Sequence, residues 1–319
     1  MKLLTQIPLK KAQNQIDYTS QLLILGSCFA ENIGAKLDYY KFQGLQNPFG
    51  IFFHPLAIEN LLFKAIEQEV YGEQDVFDLN ERFHCFDSHS SLSAISKEEL
   101  ITNLNKSLGD TYTRLKKASH IIITLGTAWV YRSLEDGKVV ANCHKVPQTN
   151  FNKELLSIEA IVQSLKNMLT MVATINTDVQ FIFTVSPVRH LKDGFVENQL
   201  SKAHLISAVH KILNIENVSY FPSYEIMMDE LRDYRFYAKD MVHPNEMAID
   251  YIWEKFRNTW ISDNAIEVMD KVDEVQSGLQ HRPFNPSSEQ HQKFLKSIQE
   301  KIAYIKKDYP FMDFNSIKA

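Results

Sequence analysis

Leu23-Ile24-Leu25-Gly26-Ser27-Cys28-Phe29-Ala30-Glu31 decides the fold of this chain. The aliphatic run, unbroken by polar residues, reads as a strand buried on both faces. Gly26 ends it, and Ser27 stands where a helix would start. From Cys28 onward Phe29, Ile33 and Leu37 recur at helical spacing, so residues 28–40 read as a helix. A buried strand that passes at once into a helix opens a parallel α/β unit. Much later, Asp240-Met241-Val242-His243-Pro244 sets an aspartate and a histidine in a loop ahead of another helix. Serine, histidine and aspartate on strand ends and loops are the apparatus of nucleophilic acyl transfer.

Working outward, strand-length apolar runs alternate with longer amphipathic segments. Helices are predicted over residues 55–71, with Pro55 in the first turn, and over 97–117, 154–175, 197–213 and 247–260. Strands are predicted over 120–125, closed by Gly126, over 179–185, ending at Ser186-Pro187, and over 218–221. Residues 128–142 read as a hairpin turning at Asp136-Gly137, which sets Asn142 near Tyr131 and His144 near Trp129. This alternation predicts an α/β chain in three layers, α/β/α, with helices on both faces of a central parallel sheet. Sites in such sheets lie beyond the carboxyl ends of the strands, where Ser27, Gly126 and Ser186 fall. After Ser262 the pattern changes to two helices, over 263–278 and 287–308, read as a helical appendage rather than a second catalytic domain. The predicted organisation is an α/β domain over 1–262, with a helical insertion around 55–117, and a C-terminal helical extension over 263–319.

Composition narrows the function. The 319 residues are 45% hydrophobic and 23% charged, an ordinary globular balance that supplies a sizeable core. A net charge of -5, without a basic cluster, argues against a nucleic-acid partner. No run reaches the roughly 18 apolar residues of a membrane helix, so no membrane partner is expected. The start, Met1 through Leu9, is too short and broken for a signal-peptide core. Three sparse cysteines, Cys28, Cys85 and Cys143, do not form a disulfide framework, and a cytoplasmic setting is expected.

Several side chains have a plain reading beside a chemical one. Ser27 alone would be an N-cap, and Asp240 a cap ahead of the next helix. Taken together, Asp240 can fold back to orient His243, leaving the other ring nitrogen for Ser27. Cys28 is the competing nucleophile, since a thiol at a helix N-terminus can ionise readily. It starts the helix one residue later and is expected to pack inward. His84, Cys85, Asp87 and His89 lie close in sequence but at no zinc-binding spacing, and no metal is assigned. Asp87 and His89 are read instead as lining the site. Arg189 and His190 follow the third strand, where Arg189 could hold a carboxylate or phosphate or form a structural ion pair.

The pentapeptide Gly26-Ser27-Cys28-Phe29-Ala30 resembles the signature of GSCFA-domain proteins, themselves similar to the SGNH (GDSL-type) hydrolases. The resemblance extends through Asn47-Pro48-Phe49-Gly50, Asp87-Ser88-His89-Ser90, Thr124-Leu125-Gly126-Thr127, Asn142-Cys143-His144-Lys145, Ser186-Pro187-Val188-Arg189-His190 and the Asp240–Pro244 run, about the first 260 residues. It implies an SGNH-like fold with Ser27 as nucleophile, His243 as base and Asp240 as orienting acid. It also implies an oxyanion hole from the N–H groups of Ser27 and Gly50 plus one side-chain amide, with Gly126 as the third-block glycine. No cofactor is implied. The substrate class is a small-molecule or carbohydrate ester, an acetylated sugar being the family-level default, and hydrolase and O-acyltransferase share every residue named. The chain departs from the wider pattern at Ala128, where those hydrolases carry an asparagine. Asn142, or failing that His144, is the expected replacement. The alternatives are a non-catalytic SGNH-like binding module and a thiol enzyme using Cys28.

Overall fold

The computed structural model describes residues 5–314. Residues 1–4, part of the segment read against a signal peptide, and residues 315–319 of the expected extension lie outside them. Strands β1 (Gln21–Gly26), β2 (Gln43–Gln46), β5 (His120–Leu125), β9 (Gln180–Val185) and β10 (Val218–Phe221) form a sheet in the order β10-β9-β5-β1-β2. Every pair in it is parallel. This is the flavodoxin-like order, and its growth reverses between β1 and β5, where ligands settle in such sheets.

The strand sequences explain both layers. In β1, Leu23 and Leu25 enter one apolar cluster with Ile121, Ile123, Phe181 and Phe183. Leu22 and Ile24 enter the other with Ile122 and Ile182. Helices α2 (Pro55–Ile66), α3 (Lys97–Leu115), α4 (Ile158–Ala173) and α5 (Phe195–His210) cover the first face. The second is covered by α1 (Cys28–Tyr39), α7 (Glu246–Trp260), α8 (Asp263–Gln280) and α9 (Glu289–Asp308). The short α6 (Ser223–Glu225) runs on into a π-helical turn over Ile226–Glu230. The extension is thus fused to the core: Tyr39 Oη donates to Asp273 at 2.9 Å, Gln276 donates to Tyr39 O at 2.9 Å, and Val272 and Val275 are buried.

Four local expectations are corrected. The segment around 55–117 is not helical throughout, because β3 (Phe77–Leu79) and β4 (Arg82–His84) form an antiparallel ribbon in it. The edge strand β2, with one apolar residue in Gln43-Gly44-Leu45-Gln46, was not read at all. The helix expected over 154–175 starts later, at Ile158, because Glu154 and Leu155 belong to β8 (Phe151–Leu155), which pairs with β6 (Trp129–Ser133). The hairpin of β6 with β7 (Val139–Val140) pairs Tyr131 with Val140, not Asn142, because the turn is a longer loop closed by Ser133 N–H on Lys138 O.

Candidate active site

Ser27 begins where two backbones meet. Gly26 has φ +130°, and a Cβ there would lie 2.1 Å from Thr124 O, so only glycine fits between β1 and β5. Ser27 caps α1, its Oγ accepting from Phe29 N at 3.3 Å. Although it falls at a strand's carboxyl end, Ser27 is 0% exposed. A strap, residues 50–54, is laid across the carboxyl ends of β1 and β5 next to it. Phe52 N donates to Gly26 O at 2.9 Å, while Gly126 N and Thr127 N both donate to Phe53 O at 2.8 Å. The strap starts at Gly50, whose φ is +75° and whose Cα faces His89 so closely that a Cβ would meet His89 Cβ at 2.4 Å. Two expected oxyanion donors are also spent in this arrangement. Ser27 N donates to Thr124 O at 3.0 Å and Gly50 N to Asn47 O at 2.7 Å.

Asp240 and His243 form a pair inside one tight turn. Met241 has φ +59°, and Ala238 N donates to His243 O at 2.7 Å, which folds Asp240 back on the ring. Asp240 Oδ1 accepts from Val242 N at 2.9 Å and His243 N at 3.0 Å, and Oδ2 lies 2.7 Å from His243 Nδ1. The hydrogen bonds from the backbone of His243 and Val242 and from the ring hold this carboxyl down at about 2. An aspartate acceptor keeps the proton on Nδ1 and leaves Nε2 as a lone-pair base. Both side chains are about half exposed. Among the described residues Ser27 Oγ has no hydrogen bond to His243.

The loop after β9 joins this turn to the sheet edge. Arg189 N donates to Val242 O at 3.2 Å, and its guanidinium lies 4.2 Å from the Tyr237 ring centre and 5.3 Å from that of Tyr234. His190 packs edge-on to Phe53 with its Nε2 against Gly126, buried and unpaired. Burial, then Lys202 and His243, push the His190 ring down to about 3. Lys202 of α5 is 1% exposed and donates to Gly126 O at 2.7 Å and Ser186 O at 2.8 Å, tying the ends of β5 and β9 together. Burial lowers its ammonium to about 7, with Cys28 opposing. The Cys28 thiol is itself pushed up by burial, with Glu31 adding to the shift and Lys202 opposing it. This is the reverse of an activated thiolate.

Of the expected site residues, Ser27, Gly126, Arg189, His190, Asp240 and His243 thus gather along one edge, and His89 borders it through Gly50. Asp87, Asn142 and His144 are each engaged in other contacts. Asp87 is held by Lys64 at 3.2 Å and Asn60 at 3.0 Å, both on α2. His144 is buried with Nε2 2.7 Å from Cys85 O, its ring packed against His84 and Phe77. Asn142 spends its Oδ1 on His144 N at 2.9 Å, a local turn contact. Among the described residues no group of three or more His, Cys, Asp or Glu is arranged to hold a metal ion.

Residues 21–256 match the GSCFA family, and residues 272–319 match the GSCFA domain protein, C-terminal domain. The chain belongs to the GSCFA family. Among curated proteins none matches it. Among solved structures, this GSCFA chain is similar to an acetyl xylan esterase (Est2A) from the rumen bacterium Butyrivibrio proteoclasticus, at 13% identity and a TM-score of 0.36. That match covers 77% of this chain and 66% of the esterase, just under two thirds of its length.

Two residues of this GSCFA chain at the same edge escaped the sequence reading. Lys202 lies in the helix expected over 197–213 without a role of its own, although Asn198, Ser201, Lys202, Leu205, Ala208 and Val209 form one buried helical stripe in which it stands. Asn47 was read only as part of the Asn47–Gly50 motif, although it follows a strand end.

Proposed function

We propose that this protein is a serine-dependent ester hydrolase or O-acyltransferase acting on a small acyl ester, with Ser27 as nucleophile. One observation carries the reading: the Asp240–His243 pair, with a hydrogen bond of 2.7 Å and Nε2 left over, lies in a turn tied through Arg189 N to the loop that follows β9 at the carboxyl ends of the strands. In this reading His243 takes the Ser27 proton as Oγ adds to an ester carbonyl, and returns it to the leaving alcohol. Water or a second alcohol then resolves the acyl-serine. Substrate entry requires the strap over Ser27 to shift, as closing segments do in many enzymes. An acetylated carbohydrate is the substrate class favoured by the sequence resemblance.

The test is labelling with a fluorophosphonate followed by peptide mass analysis. Adduct on Ser27, lost in Ser27→Ala and reduced in His243→Ala, is the expected result. A protein that stays unlabelled while binding acylated sugars would support the second reading, a non-catalytic binding module. That reading is favoured by the complete burial of Ser27 and the spent N–H groups around it.

A further inference from the structure

Asn47 follows the last residue of β2 and has φ +39°, in the left-handed region. Its N–H donates to Ile24 O at 2.9 Å, and its side chain turns back so that Oδ1 accepts from Gly26 N at 2.9 Å. A backbone N–H can only donate, so this contact fixes the amide: Oδ1 faces Gly26, and Nδ2 is the other arm. Nδ2 is buried and has no partner, in a residue only 9% exposed. Amide geometry keeps it within about 5 Å of the Gly26 nitrogen, the residue before Ser27.

We infer that Asn47 supplies the side-chain oxyanion donor of the site. This rests on the serine reading given above. As Ser27 Oγ bonds to the ester carbon, its proton passes to His243 Nε2. The carbonyl π pair moves onto oxygen, and Asn47 Nδ2–H donates to that oxyanion. When the C=O re-forms, the bond to the alkoxide breaks, the alkoxide takes the proton from His243, and acyl-Ser27 remains. The backbone candidates are occupied: Ser27 N on Thr124 O, Gly50 N on Asn47 O, and Ala128 N on Ser201 Oγ at 2.7 Å. An orphaned donor locked by its own acceptor arm is already organised for a charge that exists only during reaction, the condition for electrostatic catalysis. A buried polar group without a partner in a native structure calls for such an account.

The experiment compares Asn47→Asp with the parent enzyme on p-nitrophenyl acetate, beside fluorophosphonate labelling of Ser27. Aspartate keeps the acceptor for Gly26 N and removes the N–H. The expected result is a fall in kcat of about a hundredfold with KM little changed. Should Asn47→Asp not fold, the side-chain amide of Asn47 is followed by NMR in the parent protein, selectively labelled at asparagine. It should move downfield when a phosphonyl group is attached to Ser27. Labelled Ser27 with unchanged kcat in Asn47→Asp, or an unmoved amide resonance, overturns this inference alone. So does a loss confined to His190→Ala, which would give the role to the unpaired His190 Nε2. A parent protein that neither labels nor hydrolyses overturns the serine reading and this inference with it.

Discussion

Lys202 Nζ donates to Gly126 O at 2.7 Å, and no carboxylate pairs with it among the described residues. Burial disfavours the charged form of this amine, which is pushed down to about 7 in the folded chain from the ordinary 10.5. Between those values the unfolded chain holds the extra proton, so stability should rise with pH, at most by roughly 1.4 kcal/mol per pH unit. Below pH 7 both states are protonated and the contribution is flat. Urea unfolding from pH 6 to 8.5 should show this rise, and Lys202→Met should lose it. The same slope in both proteins would remove Lys202 as its source.

Asp240 titrates in the opposite sense. With its carboxyl held at about 2, its contribution to folding is complete above pH 3.8 and fades as pH falls toward 2. It therefore adds no limb to a rate profile taken above pH 4.5. Asp240→Asn should lower kcat by about 10²–10⁴, because the ring loses the acceptor that sets its tautomer. Steady-state kinetics on an activated ester would check this, and a variant within twofold of the parent would remove Asp240 from the mechanism.

Gly26→Ala should be among the most damaging single substitutions in the chain. The added Cβ meets Thr124 O at 2.1 Å, and φ +130° is strained for alanine, which together should cost roughly 2–4 kcal/mol. Gly137→Ala is the useful control, since it has a positive φ but nothing within 4 Å of its Cβ position. Chemical denaturation of the two variants should separate steric collision from backbone strain.

Cys28 should behave as a structural thiol. Burial and Glu31 raise it, so alkylation by iodoacetamide at pH 7.5 should be slower than that of free cysteine. Cys28→Ser should keep fluorophosphonate labelling on Ser27. Rapid alkylation with loss of labelling would reverse the assignment.

What the sequence disclosed follows from how local each determinant is. Strands β1, β5 and β9 are buried on both faces, so their aliphatic runs needed no context. Strand β8, Phe151-Asn152-Lys153-Glu154-Leu155, is half polar because it lies at the edge of a small sheet, and it looks like a helix start. At the site, the Asp240–His243 contact was legible because three residues of chain close it. The strap of residues 50–54 was not, since it crosses two strand ends that lie far apart in sequence. His144 carried a misleading signal: a histidine beside a hairpin invites a role in chemistry, but its ring fills a pocket between His84 and Phe77.

The helices α8 and α9 bear on how the protein is made. Both are translated after every strand of the sheet, yet Val272, Val275, Ile298 and Ile305 share an apolar cluster with Ile24, Ile33 and Leu37 beneath α1. Until they leave the ribosome, the sheet face that seats α1 is missing part of its cover, and Ser27 sits at the head of that helix. Vectorial synthesis therefore yields the strand and helix that flank Ser27 early but withholds their final docking. At that stage the nascent chain leaves part of this apolar face uncovered, a state prone to aggregation.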